Sequence, residues 1–219
     1  MKIALLGKGK TGSKVIELWP QGVTVFDRSH PVTFEALIKN DVVISFLPGE
    51  AFEALIPILL EAKLPVVTGS TGFNWPLDFD KTLRASGLTW IYATNFSLGV
   101  VVLKQLIARL NQVSHLFSEK SLGIHEVHHA KKLDAPSGTA LSMKKWLGGD
   151  PLMTYERVGD VVGLHTLGLE TPSEIIRLTH EAKNRQLFAE GAIWAAEFIK
   201  NLKPGLHEFQ KVVEDHLSL

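Results

Sequence analysis

The chain of 219 residues contains no cysteine. Disulfides, thiolate nucleophiles and cysteine-ligated zinc or iron–sulfur centres are therefore excluded. Neither sign of charge is in excess, because 23 lysines and arginines balance 23 aspartates and glutamates. A balanced chain has no bulk attraction for a polyanion, so a nucleic-acid partner is not expected. Long hydrophobic runs are missing too. No stretch reaches the roughly 18–20 apolar residues that span a bilayer. The early run Ile3-Ala4-Leu5-Leu6 is too short for a signal-peptide core. No membrane partner is expected, and the expected location is the cytoplasm. What is present is ordinary for a globular protein, with 45% hydrophobic residues. The length suffices for one large domain or two small ones with real cores.

Short apolar runs alternate with helix-like segments in the N-terminal half. Strands are expected at Lys2–Leu6, Val23–Phe26, Val42–Leu47, Pro65–Thr68 and Leu88–Tyr92. Helices are expected at Ser13–Trp19, Phe34–Ile38 and, as one long element, Ala51–Lys63. Such alternation implies a parallel sheet with right-handed crossovers. The pattern changes near residue 96. A helix over Val100–Leu110 is followed by one or two strands in Leu116–Val127 and a helix at Thr139–Leu147. Strands then follow at Tyr155–Val158, Gly163–Leu169 and Glu174–His180, with no long helices between them. That arrangement suggests an antiparallel or mixed sheet. The last long helix is expected at Ala189–Lys200. The fold class is α/β: an N-terminal Rossmann-type parallel sheet with a second α+β domain built on a mixed sheet.

Gly7, Gly9 and Gly12 form G-x-G-x-x-G between the first strand and the first helix. Glycines there permit a tight turn and let backbone amides approach a pyrophosphate, whose charge the helix N-terminus favours. Asp27 follows at the end of the second strand, where an acid accepts hydrogen bonds from the adenosine ribose. The neighbouring Arg28 offers a guanidinium that can stack on adenine or meet a 2′-phosphate. The acid favours NADH and the pair admits both NADH and NADPH. The alternative is a turn that merely needs small residues, with a solvated Asp27.

His125-Glu126-Val127-His128-His129 matches the H-E-x-x-H zinc signature. That chemistry needs both histidines one helical turn apart. Gly123, the β-branched Ile124 and Val127, and the following Pro136 and Gly138 argue against a helix here, so no metal is expected. Read as a strand, the segment points His128 and His129 to opposite faces unless the strand ends at that point. Either histidine can donate a proton near neutral pH. Lys132 supplies a positive charge for a carboxylate. Ser137 is a natural helix N-cap, and the free amides of Gly138 and Thr139 can bind an anion.

The segment His128-His129-Ala130-Lys131-Lys132-Leu133-Asp134-Ala135-Pro136-Ser137-Gly138-Thr139-Ala140 resembles the signature of the 4-hydroxy-tetrahydrodipicolinate reductase family. Gly69-Ser70-Thr71-Gly72-Phe73 resembles that family's loop near the nicotinamide, and Ala93-Thr94-Asn95-Phe96-Ser97-Leu98-Gly99-Val100 its hinge. Gly159 to His165, Thr179 to Ala182, Arg185 and Phe188 to Ala192 continue the likeness. The resemblance implies a dinucleotide domain of residues 1–95 plus 191–219 and a substrate-binding, oligomerisation domain of residues 96–190. It implies NADH- or NADPH-dependent reduction of a small cyclic dicarboxylate in diaminopimelate and lysine synthesis, a homotetramer, and hinge closure that brings nicotinamide to substrate.

By position, the same resemblance makes His128 the proton donor, with Lys132 assisting protonation and holding substrate charge. His129, Lys132, Ser137, Gly138 and Thr139 would contact the substrate. Gly7, Lys8, Gly9, Lys10, Thr11, Gly12, Asp27, Arg28, Gly69, Ser70, Thr71, Ala93, Thr94, Asn95 and Phe96 would bind the cofactor.

The chain departs from the family pattern in three places. It is shorter after Asp27 and around Gly148–Glu156, where an Arg-Glu-Gly loop is usual. Ile44-Ser45-Phe46-Leu47-Pro48 replaces a commoner Asp-Phe-Thr, so Leu47 offers the cofactor no hydroxyl. The glycine turn is the shorter form. Two rival readings share that turn: another amino-acid-linked Rossmann dehydrogenase, and a non-catalytic dinucleotide sensor. The first has no reason to keep the order of residues from His128 to Thr139, and the second would bind NADH but show no turnover.

Overall fold

The computed structural model describes residues 1–217. The chain divides into two compact units, Met1–Ser97 with the chain from Arg185 onward, and Leu98–Asn184. Residues 218 and 219, the end of the expected 191–219 segment, lie outside the described residues.

The first unit begins with β1 (Ile3–Leu6), α1 (Gly12–Leu18), β2 (Val23–Phe26), α2 (Phe34–Leu37), β3 (Val42–Ser45), α3 (Gly49–Glu53), α4 (Ile56–Glu61), β4 (Val66–Thr68), α5 (Phe79–Ala85) and β5 (Thr89–Tyr92). In the second unit α6 (Leu98–Val113), β6 (Ser121–His128), α7 (Gly138–Leu147), β7 (Leu152–Arg157), β8 (Gly163–Glu170) and β9 (Ile175–Ala182) follow. The chain then returns to the first unit as α8 (Gln186–Phe198), β10 (Gly205–Glu208) and α9 (Phe209–Leu217).

The first unit carries a six-stranded sheet in the order β10-β5-β4-β3-β1-β2, and every pairing is parallel. Every residue of β1, β3 and β4 is buried. Continuous apolar runs of this kind are what a parallel sheet covered on both faces requires. Chain order reverses beside β1, which lies between β2 and β3. In open parallel sheets the ligand crevice lies at such a point, beyond the carboxyl ends of the strands. Helix α8 packs against α1, β3 and β4. Among the described residues, no helix is long and apolar enough to cross a membrane.

The second unit has a mixed sheet in the order β7-β6-β8-β9. β6 pairs parallel with β7 and antiparallel with β8, which pairs antiparallel with β9. β8 alternates buried with half-buried residues, as a sheet with one packed face should. Ile124, Leu167 and Leu169 of that face pack with Leu103, Ile107 and Leu110 of α6 and Ala140, Met143 and Leu147 of α7. α7 starts at Ser137, whose hydroxyl accepts the Ala140 amide at 3.2 Å. It stops at Gly148, whose φ of +73° suits a glycine after a helix.

The structure corrects several element boundaries. The expected helix Ala51–Lys63 is two helices, α3 and α4. Pro57 has no amide to donate to the Glu53 carbonyl, so the ladder breaks and restarts with proline in the first turn of α4. The third strand ends at Ser45 rather than Leu47. Leu116 closes a short 3-10 turn, and the strand behind it starts only at Ser121. α5 was not expected: it is short and buries only Phe79 and Leu83, too brief a period to read. The elements β10 and α9 beyond residue 200 were also not expected.

Candidate active site

In the first unit the glycine turn follows β1 at the point where the strand order reverses. Gly7 has φ +93°, and a side chain there would press on Leu47 Cδ2 at 3.0 Å. A Cβ on Gly12 would lie 2.1 Å from the Gly7 carbonyl oxygen, so only glycine lets α1 begin this close to the turn. Gly9 meets nothing within 4 Å. Lys8, Gly9 and Lys10 are exposed, and Thr11 is half-buried. The turn thus has the shape a pyrophosphate needs: a tight entry, an open middle and a helix start.

Asp27 closes β2, and its Oδ1 accepts the amides of Ser29 and His30 at 2.9 and 3.0 Å. Those two backbone hydrogen bonds, with a smaller contribution from the His30 side chain, hold the carboxyl below its usual range. Asp27 is therefore an anion with Oδ1 used by its own loop. Its Oδ2 takes no protein hydrogen bond among the described residues. Arg28 is exposed.

The Ser70 amide donates to Thr68 Oγ1 at 3.1 Å, and its hydroxyl lies 3.2 Å from that of Ser45. Gly69 is half-buried and Thr71 exposed. Leu47 has no hydroxyl, but Ser45 supplies one close to Ser70, a polar group that the sequence did not single out. In the Ala93–Phe96 segment, Ala93 donates to the Thr68 carbonyl at 3.0 Å and Asn95 Oδ1 accepts the Ser97 amide at 2.8 Å. Thr94 is exposed, and the Phe96 ring packs tilted against that of Phe209, with centroids 4.8 Å apart.

In the second unit β6 ends at His128. The H-E-x-x-H residues therefore lie on a strand and its exit, where the i,i+4 geometry of a zinc helix does not arise. His125 hydrogen-bonds Thr154 at 2.9 Å. Period-two alternation places Ile124, Glu126 and His128 on the buried face. His129 begins the turn beyond the strand and is half-buried.

Around His128 the structure assembles side chains from several elements. Glu126 is fully buried. Its Oε1 accepts from Arg157 at 2.7 Å and from the Ser137 amide at 3.0 Å. Its Oε2 lies 3.6 Å from His128 Nδ1 and 3.6 Å from His165 Nε2. Arg157 also donates to the Asp134 carbonyl, tying the loop after β6 to the sheet. His165 Nε2 is 3.1 Å from Ser137 Oγ.

Burial alone would raise the Glu126 carboxyl, but hydrogen bonds from Ser137 and Arg157 and the nearby His128 outweigh it and hold the group low. Burial lowers His128, and Lys132 and Arg157 lower it further, while Glu126 and Asp134 act the other way. His165 is pushed down to about 4, first by burial and then by His128. Glu126, His128 and His165 bring donor atoms within 4.8 Å of one another. Both Glu126 oxygens already accept protein hydrogen bonds, so the cluster is internally compensated.

Lys132 Nζ is half-buried and held by Asp134. Gly138 is exposed and Thr139 half-buried at the start of α7. The Ser137 amide is used by Glu126, which leaves the amides of Gly138 and Thr139 to meet an anion. Sequence reasoning missed Glu126, Arg157 and His165 as site residues. The available signal was a glutamate two residues before a histidine in a strand pattern, which puts a carboxylate and an imidazole on one face.

The switch-point turn with its acid at the end of β2 is the arrangement of the dinucleotide-binding Rossmann class. The family model for dihydrodipicolinate reductase, C-terminus, matches residues 99–213. A 4-hydroxy-tetrahydrodipicolinate reductase from a Nitratiruptor species is 34% identical over 94% of this chain and 86% of its own. That from Christiangramia forsetii is 34% identical over 98% of each chain. The chain belongs to the dihydrodipicolinate reductase family. In fold it matches a dipicolinate-bound dihydrodipicolinate reductase from Paenisporosarcina sp. TG-14, with TM-score 0.78, 20% identity, and 97% of this chain and 99% of that one covered. An amine dehydrogenase from Mycobacterium smegmatis matches less well, with TM-score 0.59, 12% identity and coverage of 96% and 95%.

Proposed function

We propose that His128 delivers a proton, and that Lys132 with the start of α7 holds a carboxylate, in the NAD(P)H-dependent reduction of 4-hydroxy-tetrahydrodipicolinate to tetrahydrodipicolinate. This is the step of diaminopimelate and lysine biosynthesis for which the curated relatives are named. The observation that carries the reading is the buried imidazole of His128 beside a fixed lysine and an open helix N-terminus, all within one short segment.

Loss of water from the hydroxylated ring leaves a conjugated cyclic imine. Its reduction needs a hydride at one ring carbon and a proton at a neighbouring one. Reduced nicotinamide, when bound, supplies the hydride. The chain's residues do the rest. Lys132 and the amides of Gly138 and Thr139 neutralise and orient carboxylate charge, with His129 beside them. Burial lowers the pKa of His128 in the free protein and so disfavours its imidazolium. A dicarboxylate arriving next to it brings the negative charge that favours the imidazolium, so the acid is charged when substrate is present.

The cofactor is NADH or NADPH. The turn Gly7–Gly12 receives the pyrophosphate and Asp27 Oδ2 the ribose. Arg28 meets adenine or a 2′-phosphate, and Gly69–Thr71 and Ala93–Phe96 line the nicotinamide end. The protein works in the cytoplasm as a homotetramer. Supporting association, Leu152 and Ile175 stand 72% and 43% exposed on the face of the mixed sheet away from α6 and α7. Light scattering of the purified protein tests the tetramer, and a mass of one chain would exclude it.

The decisive experiment follows NADH and NADPH oxidation with freshly generated 4-hydroxy-tetrahydrodipicolinate. Turnover with at least one cofactor is expected. No turnover with either would overturn the reading.

A further inference from the structure

We propose that Glu126 is the positioning residue of the proton-delivery site: a buried carboxylate that aims His128, sustains its charge, and ties it to the turn that opens α7. The proposal rests on His128 being the proton donor.

Glu126 is 0% exposed on the same face of β6 as His128. A buried carboxylate and its guanidinium partner are an expensive way to fill a sheet face, since apolar groups of similar volume usually serve stability as well or better. The location of this pair therefore calls for another reason. Every contact of Glu126 leads to the candidate site. Both oxygens share the Ser137 amide, Oε1 the more closely, so the N-cap of α7 is anchored to β6. Oε1 also holds Arg157, which binds the Asp134 carbonyl and so fixes the loop that carries Lys132. The other oxygen stands 3.6 Å from His128 Nδ1, an ion-pair distance beyond hydrogen-bond range.

The charges around His128 come from every neighbouring element. β6 supplies Glu126, β7 ends in Arg157, β8 brings His165 with His180 of β9 opposite it, and the loop carries Lys132 and Asp134. Of the two anions in this set, Asp134 is exposed and paired with Lys132. Glu126 is the buried anion facing His128 among the described residues. His165 faces the same carboxylate but stays neutral, with its pKa pushed down to about 4. Its ring lies 4.9 Å from that of His128, so two imidazolium ions side by side would repel. Glu126 therefore has one imidazole left to charge. Nδ1 of His128 has no hydrogen-bond partner among the described residues, and the Glu126 carboxylate at 3.6 Å is the anion it faces. A proton on Nδ1 facing the carboxylate leaves Nε2 as the nitrogen that takes up and delivers the reactive proton.

The test compares wild type, Glu126→Gln and His128→Gln by kcat and KM from pH 5 to 9, together with NADH affinity and thermal unfolding. Glutamine keeps the size and still accepts from Ser137 and Arg157. The rate depends on a protonated His128, so it falls as pH rises through that group's pKa. In Glu126→Gln this alkaline limb should move down by about one pH unit, a roughly tenfold lower rate at a fixed pH above it. KM should change less than kcat, and NADH affinity should be unchanged. Glu126→Asp should restore much of the limb. A limb unmoved in Glu126→Gln, with or without a uniform loss of rate, overturns the proposal. Normal turnover and pH profile in His128→Gln would instead overturn the proton-donor reading itself.

A measurement on the unaltered protein needs no variant to fold. ¹⁵N-histidine NMR should find neutral His128 as the Nδ1–H tautomer, and an Nε2–H tautomer overturns the proposal.

Discussion

Lys132 Nζ lies 2.7 and 2.8 Å from the two carboxylate oxygens of Asp134. The lysine proposed to hold substrate charge is thus already engaged by a carboxylate from its own loop, and that contact is the largest reason Asp134 sits below the usual carboxylate range. On that proposal a substrate carboxylate would meet an oriented cation, in a place that Asp134 keeps. Lys132→Ala removes a charge-assisted bond of about 1.5–3 kcal/mol. Steady-state kinetics should show both a raised KM and a lowered kcat, with kcat/KM down roughly 10–100-fold. An unchanged KM would separate this lysine from substrate binding.

His128→Ala should lower kcat by about 10²–10⁴-fold, the usual contribution of a positioned acid. NADH affinity, measured by fluorescence titration, should stay within about twofold, because the nucleotide-binding turn belongs to the other unit. Wild-type turnover in this variant is the outcome that sinks the assignment.

Arg28→Ala should separate the two cofactors. A guanidinium that meets the 2′-phosphate is worth about tenfold in NADPH affinity or more, and little in that of NADH. Equal effects on both would exclude the phosphate contact.

Gly12→Ala places a methyl 2.1 Å from the Gly7 carbonyl oxygen, a backbone atom that cannot move without opening the turn. The expected cost is about 1–3 kcal/mol of stability, with cofactor affinity reduced at least tenfold. Calorimetry of both quantities checks this, and a variant that binds NADH normally would show that the turn adapts.

The pH dependence of stability follows from His165. Its ordinary pKa of 6.5 falls to about 4 in the folded chain. In that window the unfolded chain binds the proton and the folded chain does not. Stability is therefore full above about pH 6.5 and is lost as pH falls toward 4, by about 3 kcal/mol at most. Burial of His128 and His180 acts in the same direction. Urea titrations at pH 7.5 and 5 should show the lower midpoint at pH 5. His165→Phe, which cannot take up that proton, should narrow the difference, and an unchanged gap would place the titration elsewhere.

Much of the site was legible because its chemistry is contiguous. The turn Gly7–Gly12 and the run from His128 to Thr139 each gather their proposed functional groups within a dozen residues, and local geometry is enough to read them. The alternation of apolar runs in β1, β3 and β4 likewise announces a covered parallel sheet. The break between α3 and α4 was legible in principle, since Pro57 stands in the middle of the expected helix, but apolar periodicity continues across it and outvotes one residue. The late strand β10 was not legible. Four residues at a sheet edge acquire their conformation from pairing with β5, to which nothing local points.

The chain's order of residues was enough to point to a candidate nucleotide turn, a second domain of different pattern and a histidine–lysine–serine segment, because short-range sterics and hydrophobic period act between near neighbours. Glu126 shows what that order left open. In one dimension it belonged to an apparent zinc signature. Folding joins β6 to β7 and β8, and so brings Arg157 and His165 to the same carboxylate. Burial then removes the solvent that would have screened those charges. Which imidazole is free to carry a proton is decided there, by low dielectric and distances between strands, neither of which exists before the sheet forms.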